Sequence, residues 1–414
     1  MLRRVAALAL TLAVACSEAT TPTAGPQQPK TSDPSPVETP DPVPTATPDP
    51  APAAAPDPVA RSEASESPRI EVFTLRSEQL STFAKADVEI VASVLTPPNF
   101  DPATKHAIIY HVHGFGGTHE TSAQRYGSSI MQRMTDGEAH PFVHVFLDAT
   151  HVNGHHVFAD SQNNGPWGTA LVTEFLPAVD ERYGGVGAAW GRFVTGHSSG
   201  GWSSLWLQVA YPTAFGGVWS TAPDPVDFRD FTGVDIYKFE SVYKDPSGNV
   251  VQLMRRRGQW QRSLQEYVAR EVKDQPVGGQ FYSFDAVFSP RGADGKPVPL
   301  FERTTGKIDP AVAEAWKAYD ITLVLRSRWA ELAPSLRGKV HVIIGTIDTF
   351  RLEGAAKLLA AELESLGSDA EILLVEGRDH GDLYAPHPEH YPKGLRTRIE
   401  AEAWSRFVAM RDAQ

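Results

Sequence analysis

From Arg69 onward, short apolar runs rich in β-branched residues alternate with longer stretches at helical spacing, and this rhythm leaves few possible folds. The runs "HAIIYHVHG", "FVHVFLDA", "GRFVTG", "FGGVWST", "KVHVIIGTID" and "AEILLVEG" are too densely apolar for strands with one wet face. Strands buried on both faces are the mark of a parallel sheet. Two earlier runs, "RIEVFTL" and "DVEIVASVLTPP", alternate apolar and polar residues as half-exposed antiparallel strands do. Between the runs lie helical stretches, among them "GTALVTEFLPAVDERY", "RLEGAAKLLAAELESLG" and "RTRIEAEAWSRFVAMRD". A further helix begins near Ser199, where Trp202, Leu205, Trp206 and Val209 form one stripe that Pro212 ends. The expected fold class is α/β, a mainly parallel central sheet with helices on both faces. Residues 69–414 then form one domain, in which the polar, Gly- and Pro-containing block 227–333 is an insertion or cap above the strand ends.

The N-terminal part obeys different rules. "MLRRVAALALTLAVAC" carries two arginines and then an apolar run too short to span a bilayer, the form of an export signal. The chain's single cysteine, Cys16, stands where such a signal is cut, after Ala13, Val14 and Ala15. That arrangement resembles a bacterial lipobox, which implies a signal peptide over 1–16 and a lipidated Cys16; a plain secretory signal cut nearby is the other reading. Ser17 after the cysteine, by resemblance to Gram-negative lipoproteins, implies the outer membrane. Residues 17–68 are rich in Pro, Ala, Thr and Asp and nearly free of aromatics, so they cannot bury enough apolar surface to offset ordering entropy. As a stiff polyproline-like linker at about 3.1 Å per residue, they could hold the domain on the order of 100 Å from a membrane. One cysteine leaves no intramolecular disulfide and no cysteine zinc site. A net charge of -12 argues against a nucleic-acid partner. The chain is expected to be a monomer that meets a membrane only through its lipid anchor.

Chemistry concentrates in "RFVTGHSSGGWSSLW". GxSxG by itself is a weak signal, but here it follows an expected strand and opens an expected helix, the context of a nucleophile elbow. Ser198 is the candidate nucleophile. A serine hydroxyl needs a base and the base an orienting acid, in the order Ser, Asp, His. "VIIGTIDTF" puts Asp348, and "ILLVEGRDHGDLY" puts His380, just past the two last strands, at the sheet edge that Ser198 shares. Asp224 in "STAPDP" is the reserve acid, while Asp379 is too near His380 in sequence to aim back at it easily. The oxyanion of an acyl-transfer intermediate needs two donors. They are assigned to the backbone N–H of Ser199 and of Phe115 in "HVHGFGG", with Gly114 and Gly116 as alternatives to Phe115. Gly114, His197, Asn164 and Trp167 are assigned to substrate contact. His151, His155 and His156 suggest a metal but lack a matching carboxylate–histidine helix, so they read as a polar loop at the pocket mouth, with no metal and no cofactor expected. Arg255, Arg256 and Arg257 beside Trp260 read as a solvated helix face, with a clamp for an acidic substrate as the alternative.

In this order and spacing, "HGFGG", "GHSSGG", "GTID" and "DHG" resemble the Putative esterase branch of the α/β-hydrolase superfamily, with its esterase D-like, feruloyl-esterase-like and siderophore-esterase-like members. The resemblance covers roughly Ile70 to the C-terminus, apart from the insertion. It implies an α/β-hydrolase fold and hydrolysis of small or polymer-borne carboxylic esters through an acyl-enzyme. A surface-binding protein that has lost catalysis and a metal-assisted hydrolase remain the competing readings.

Overall fold

The computed structural model describes residues 60–413. These fall in one compact unit, Pro44–Gln414, while the other unit, Met1–Val43, lies outside them. The signal peptide and Cys16 are therefore outside the described residues, as is the linker up to residue 59. The end assigned to that linker moves: Ser62 N–H donates to the Arg182 carbonyl, and Ser65 pairs with Phe100, so 60–68 already belong to the folded body. Their apolar content is low, and hydrogen bonds secure them, from the backbone and from the side chains of Arg69 and Arg182.

Eight strands form the central sheet: β1 Arg69–Arg76, β2 Glu89–Thr96, β3 Ile108–Val112, β4 Val143–Leu147, β5 Arg192–His197, β6 Gly217–Thr221, β7 Val340–Gly345 and β8 Glu371–Val375. Their spatial order is β1-β2-β4-β3-β5-β6-β7-β8. Only β2 runs against the rest, antiparallel to both β1 and β4. The dense apolar runs explain the burial. In β3, Ile108, Tyr110 and Val112 enter one core layer while Ile109 enters the layer on the other face. A strand so placed can be covered on both sides only by helices. On one face these include Leu176–Tyr183 and Ser199–Ala210, and on the other Leu395–Arg411. Strand order, a single reversed strand and helices on both faces make this an α/β-hydrolase fold.

The helix Ser199–Ala210 is buried nearly all round, not on one stripe, because the insertion covers its outer side: Trp202 meets Phe288, and Trp206 meets Tyr319. Burying a side chain of this size contributes roughly 1.5–3 kcal/mol. The insertion extends the core with an aromatic cluster, in which Phe284 stacks on Phe288 and Phe228, Phe231 and Trp316 pack edge to face or tilted around them. Its C-terminal limit differs from the expected residue 333. The helix Ile321–Leu336 packs on the helices Ser199–Ala210 and Glu353–Ser365, so it covers the sheet and the cap ends at Asp320. Asp320 is a joint: its carboxylate caps that helix and accepts from Phe228 N–H and the Tyr237 hydroxyl. Among the described residues no helix is long and apolar enough to cross a membrane.

Candidate active site

The parallel register sets the site. Val112 lies opposite Gly196, His197 opposite Thr221, and Gly345 opposite Val375, so the chain leaves β3, β5, β6, β7 and β8 along one edge. At that edge Ser198 turns directly from β5 into a helix with φ 61° and ψ -125°. A positive φ is strained for a residue with a Cβ and is held only where the surroundings enforce it. Here Ser198 N–H donates to the Thr221 carbonyl and the Ser198 carbonyl accepts from Trp202 and Asp224 N–H. Glycines allow the tight approach: a Cβ at Gly196 would collide with the Gly200 carbonyl, and one at Gly200 with the Val112 carbonyl.

His380 follows β8 and Asp348 follows β7. His380 Nδ1 lies 2.6 Å from Asp348 Oδ2, and Asp348 is fully buried. The other carboxylate oxygen of Asp348 accepts from Phe350 N–H at 2.8 Å. Burial alone would lower the imidazole pKa, but the charge and hydrogen bond of Asp348, then the charges of Asp224 and Asp379, outweigh it and raise the pKa above its ordinary value. Ser198 and His380 line one cavity of about 640 Å³. The reserve acid Asp224 lines it too but serves another group: its Oδ2 accepts from Ser199 Oγ at 2.5 Å and from Gln280 at 3.2 Å. Burial pushes the Asp224 carboxyl up to about 6, against the hydrogen bond from Ser199. Asp379 makes no hydrogen bond to the His380 ring and instead accepts from Gly381 and Asp382 N–H.

Gly114 and Phe115 line the cavity on a tight turn closed by Gly117 N–H to the Gly114 carbonyl, with Gly116 at φ 77°. Gly114 packs against the elbow so closely that a Cβ would lie 3.1 Å from the His197 carbonyl. Two buried histidines hold this loop. His113 Nε2 accepts from Ala149 N–H, so its Nδ1 carries the proton and donates to the Gly114 carbonyl at 2.8 Å. His155 Nδ1 accepts from Val157 N–H, so its Nε2 donates to the His113 carbonyl at 2.9 Å. Burial lowers the pKa of both, that of His155 to about 3, which keeps these rings neutral and their tautomers fixed.

His197 lines the cavity as expected, its Nδ1 3.1 Å from Thr221 Oγ1. Asn164 and Trp167 do not. They border a second cavity with Phe83, Val88 and Val152, and Trp167 stacks on His156 at 3.8 Å while its indole N–H donates to the Asn164 carbonyl. The histidine loop is thus largely core: His155 and His156 are buried, and only His151 stays half-buried, in that second cavity. The arginine run is not a helix face either. Gln252–Arg256 and Gln259–Ser263 form a hairpin whose tip, Arg257 and Gly258, takes positive φ at both residues. Arg255 donates to the Asp348 carbonyl at 2.8 Å and pairs with Glu353 at 2.5 Å, and its own N–H donates to the Thr349 carbonyl. The cap therefore braces the loop that carries Asp348, and the hairpin adds Leu253 to the cavity wall. Further cap residues reach the cavity: Tyr267, Gln280, Phe281 and Phe284. No local sequence signal marks them.

A model of the family described as Putative esterase matches residues 84–380. No curated protein matches the chain. Solved structures to which it is similar include a ferulic acid esterase, at 14% identity over 83% of this chain and 98% of that one, with a TM-score of 0.49. Another is an S-formylglutathione hydrolase from Agrobacterium tumefaciens, at 16% identity over 84% and 97%, with a TM-score of 0.46. A third is the CE1 ferulic acid esterase AmCE1/Fae1A from Anaeromyces mucronatus, at 15% identity over 79% and 90%, with a TM-score of 0.41.

Proposed function

The chain belongs to the Putative esterase family and is a carboxylic ester hydrolase, and on that premise we propose that it works through an acyl-enzyme on Ser198. Ser198 Oγ attacks the ester carbonyl carbon while His380 Nε2 takes its proton; the C–O bond then breaks and His380 returns the proton to the leaving alkoxide. Water, deprotonated by the same imidazole, attacks the acyl carbon; the bond from that carbon to Ser198 Oγ breaks, His380 returns the proton to Ser198, and the acid leaves. Asp348 fixes the tautomer that presents Nε2 and stabilises the imidazolium formed in each half-reaction. The N–H groups of Phe115 and Ser199 receive the oxyanion; losing one such donor typically costs about 3 kcal/mol of transition-state stabilisation. Ser199 N–H is available because the first N–H groups of a helix have no carbonyl partner within it.

The observation that carries this reading is the 2.6 Å contact of His380 with a fully buried Asp348, beside the cavity where Ser198 holds a positive φ. A fluorophosphonate probe should label the wild-type protein and leave Ser198→Ala unlabelled, with p-nitrophenyl ester hydrolysis in that variant lower by at least about 10³-fold. Equal labelling of both proteins would overturn the assignment. The signal-like N-terminus and Cys16 support a second element of the proposal: lipid anchorage of an exported enzyme at a bacterial membrane, the outer one by the Ser17 that follows the cysteine.

A further inference from the structure

Two guanidinium groups line the same cavity as Ser198 and His380, and the hydrolytic reaction gives neither of them a task. Arg125 comes from the helical turn Ala123–Gly127 that follows the glycine loop, and Arg396 from the first turn of the helix Leu395–Arg411. Both lie against one ring: the Arg396 and Arg125 guanidinium carbons are 4.0 and 5.4 Å from the centroid of Tyr126, and that of Arg396 is 5.3 Å from the centroid of Tyr384. The rings orient the cations without neutralising them. Among the described residues no carboxylate lies within ion-pair distance of either group; Arg125 is exposed, but Arg396 is half-buried, and most other half-buried arginines among the described residues have such a partner. Asp224, the one carboxylate among the lining residues, is occupied by Ser199 and Gln280.

The placement works against stability in two ways. Two like charges share one aromatic ring, and Arg396 stands in the first turn of a 17-residue helix, the end where the backbone dipole favours negative charge. In a chain of net charge -12, carboxylates to neutralise them are plentiful, yet the cleft keeps both cations unpaired. The charges also lie close to the reacting groups. Both act on the half-buried His197, whose ring centroid is 4.4 Å from that of His380, and after desolvation and the His380 charge they help to hold its pKa down.

We propose that Arg125 and Arg396 form an anion subsite, and that the enzyme prefers esters carrying an oxyacid group, above all a carboxylate, on the part that lies along the Tyr126 side of the cavity. A guanidinium presents its donors in a planar fork that matches a carboxylate's two oxygens. An anion bridging the pair would relieve their mutual repulsion and sit at the favourable end of the helix. This inference rests on Ser198 and His380 being the reacting groups, since it places the anion relative to them.

The test compares p-nitrophenyl hemiesters of succinate, glutarate and adipate with their neutral methyl-ester twins. The readout is the ratio of kcat/KM on each anionic ester to that on its twin, so that a general loss of folded enzyme cancels. At low salt the wild type should favour one anionic member by about tenfold or more, chiefly through KM, and added salt should erode the preference. Arg125→Gln/Arg396→Gln should bring the ratio down to about one, with each single variant in between. A wild-type ratio at or below one across the series, or a ratio unchanged in the double variant, would overturn the subsite while leaving the hydrolytic reading intact. Failure of the wild type to hydrolyse any of the esters, or to react with the fluorophosphonate, would overturn both.

Discussion

The proton affinity of His380 is set by effects that oppose one another. Burial works against the imidazolium, while Asp348 at 2.6 Å and then the Asp224 charge work for it, and the latter win. An imidazole acts as a base only when neutral, so a raised pKa places the acidic limb of the kcat/KM profile above the ordinary imidazole value near 6.5. Activity should rise with pH through that limb. Asp224→Asn removes a negative charge that favours the imidazolium, so it should move the limb to lower pH while keeping the triad's geometry. A pH–rate profile with the limb unmoved or raised in that variant would show that Asp224 does not act on the base. Ser199 carries a related lesson at this scale. Its hydroxyl duplicates that of Ser198 in sequence, but it donates to the buried Asp224 and so has a task of its own.

Among the secondary-structure elements, the hairpin Gln252–Arg256/Gln259–Ser263 couples the cap to the loop that carries Asp348, part of the proposed reaction centre. Arg255 crosses from it to the Asp348 loop, bonding a carbonyl of that loop and the buried Glu353, whose own pKa burial pushes up against the arginine's pull. Removing one partner of a buried charged pair leaves the other unsatisfied, at a cost of about 3–5 kcal/mol. Arg255→Gln should lower the thermal midpoint and reduce kcat by about tenfold or more with KM little changed, because Asp348 loses its brace while the cavity wall stays. A stability loss with kcat intact, measured below the melting transition, would reduce the hairpin to a structural role. The glycine loop is braced in the same manner by His113 and His155, which bond its carbonyls with one fixed tautomer each.

For the whole molecule, the proposed lipid anchorage assigns the N-terminal 16 residues and the linker to transport and attachment, and leaves the chemistry to the unit containing residues 60–413. Cys16→Ala should therefore shift the protein from the membrane fraction to the soluble fraction with unchanged kcat/KM on p-nitrophenyl esters. Membrane partition that persists in this variant would refute lipid anchorage. The sequence by itself determined which segments are sheet strands and the positions of Ser198, Asp348 and His380 at the ends of three of them, while the order of the strands in the sheet came from the tertiary structure. Densely apolar runs report burial on both faces, and a parallel sheet then brings every loop that follows a strand to one edge. Tertiary structure alone decided the rest. Arg255 reaches a partner 93 positions away, and Arg125 and Arg396 meet on one tyrosine ring from opposite ends of the domain. Asn164 and Trp167 face a different cavity, where stacking on His156 holds Trp167 and the Asn153 amide donates to the Asn164 side chain. Local spacing encodes which face of a strand or helix is buried, whereas contacts between distant segments depend on how loops of irregular conformation close over the sheet.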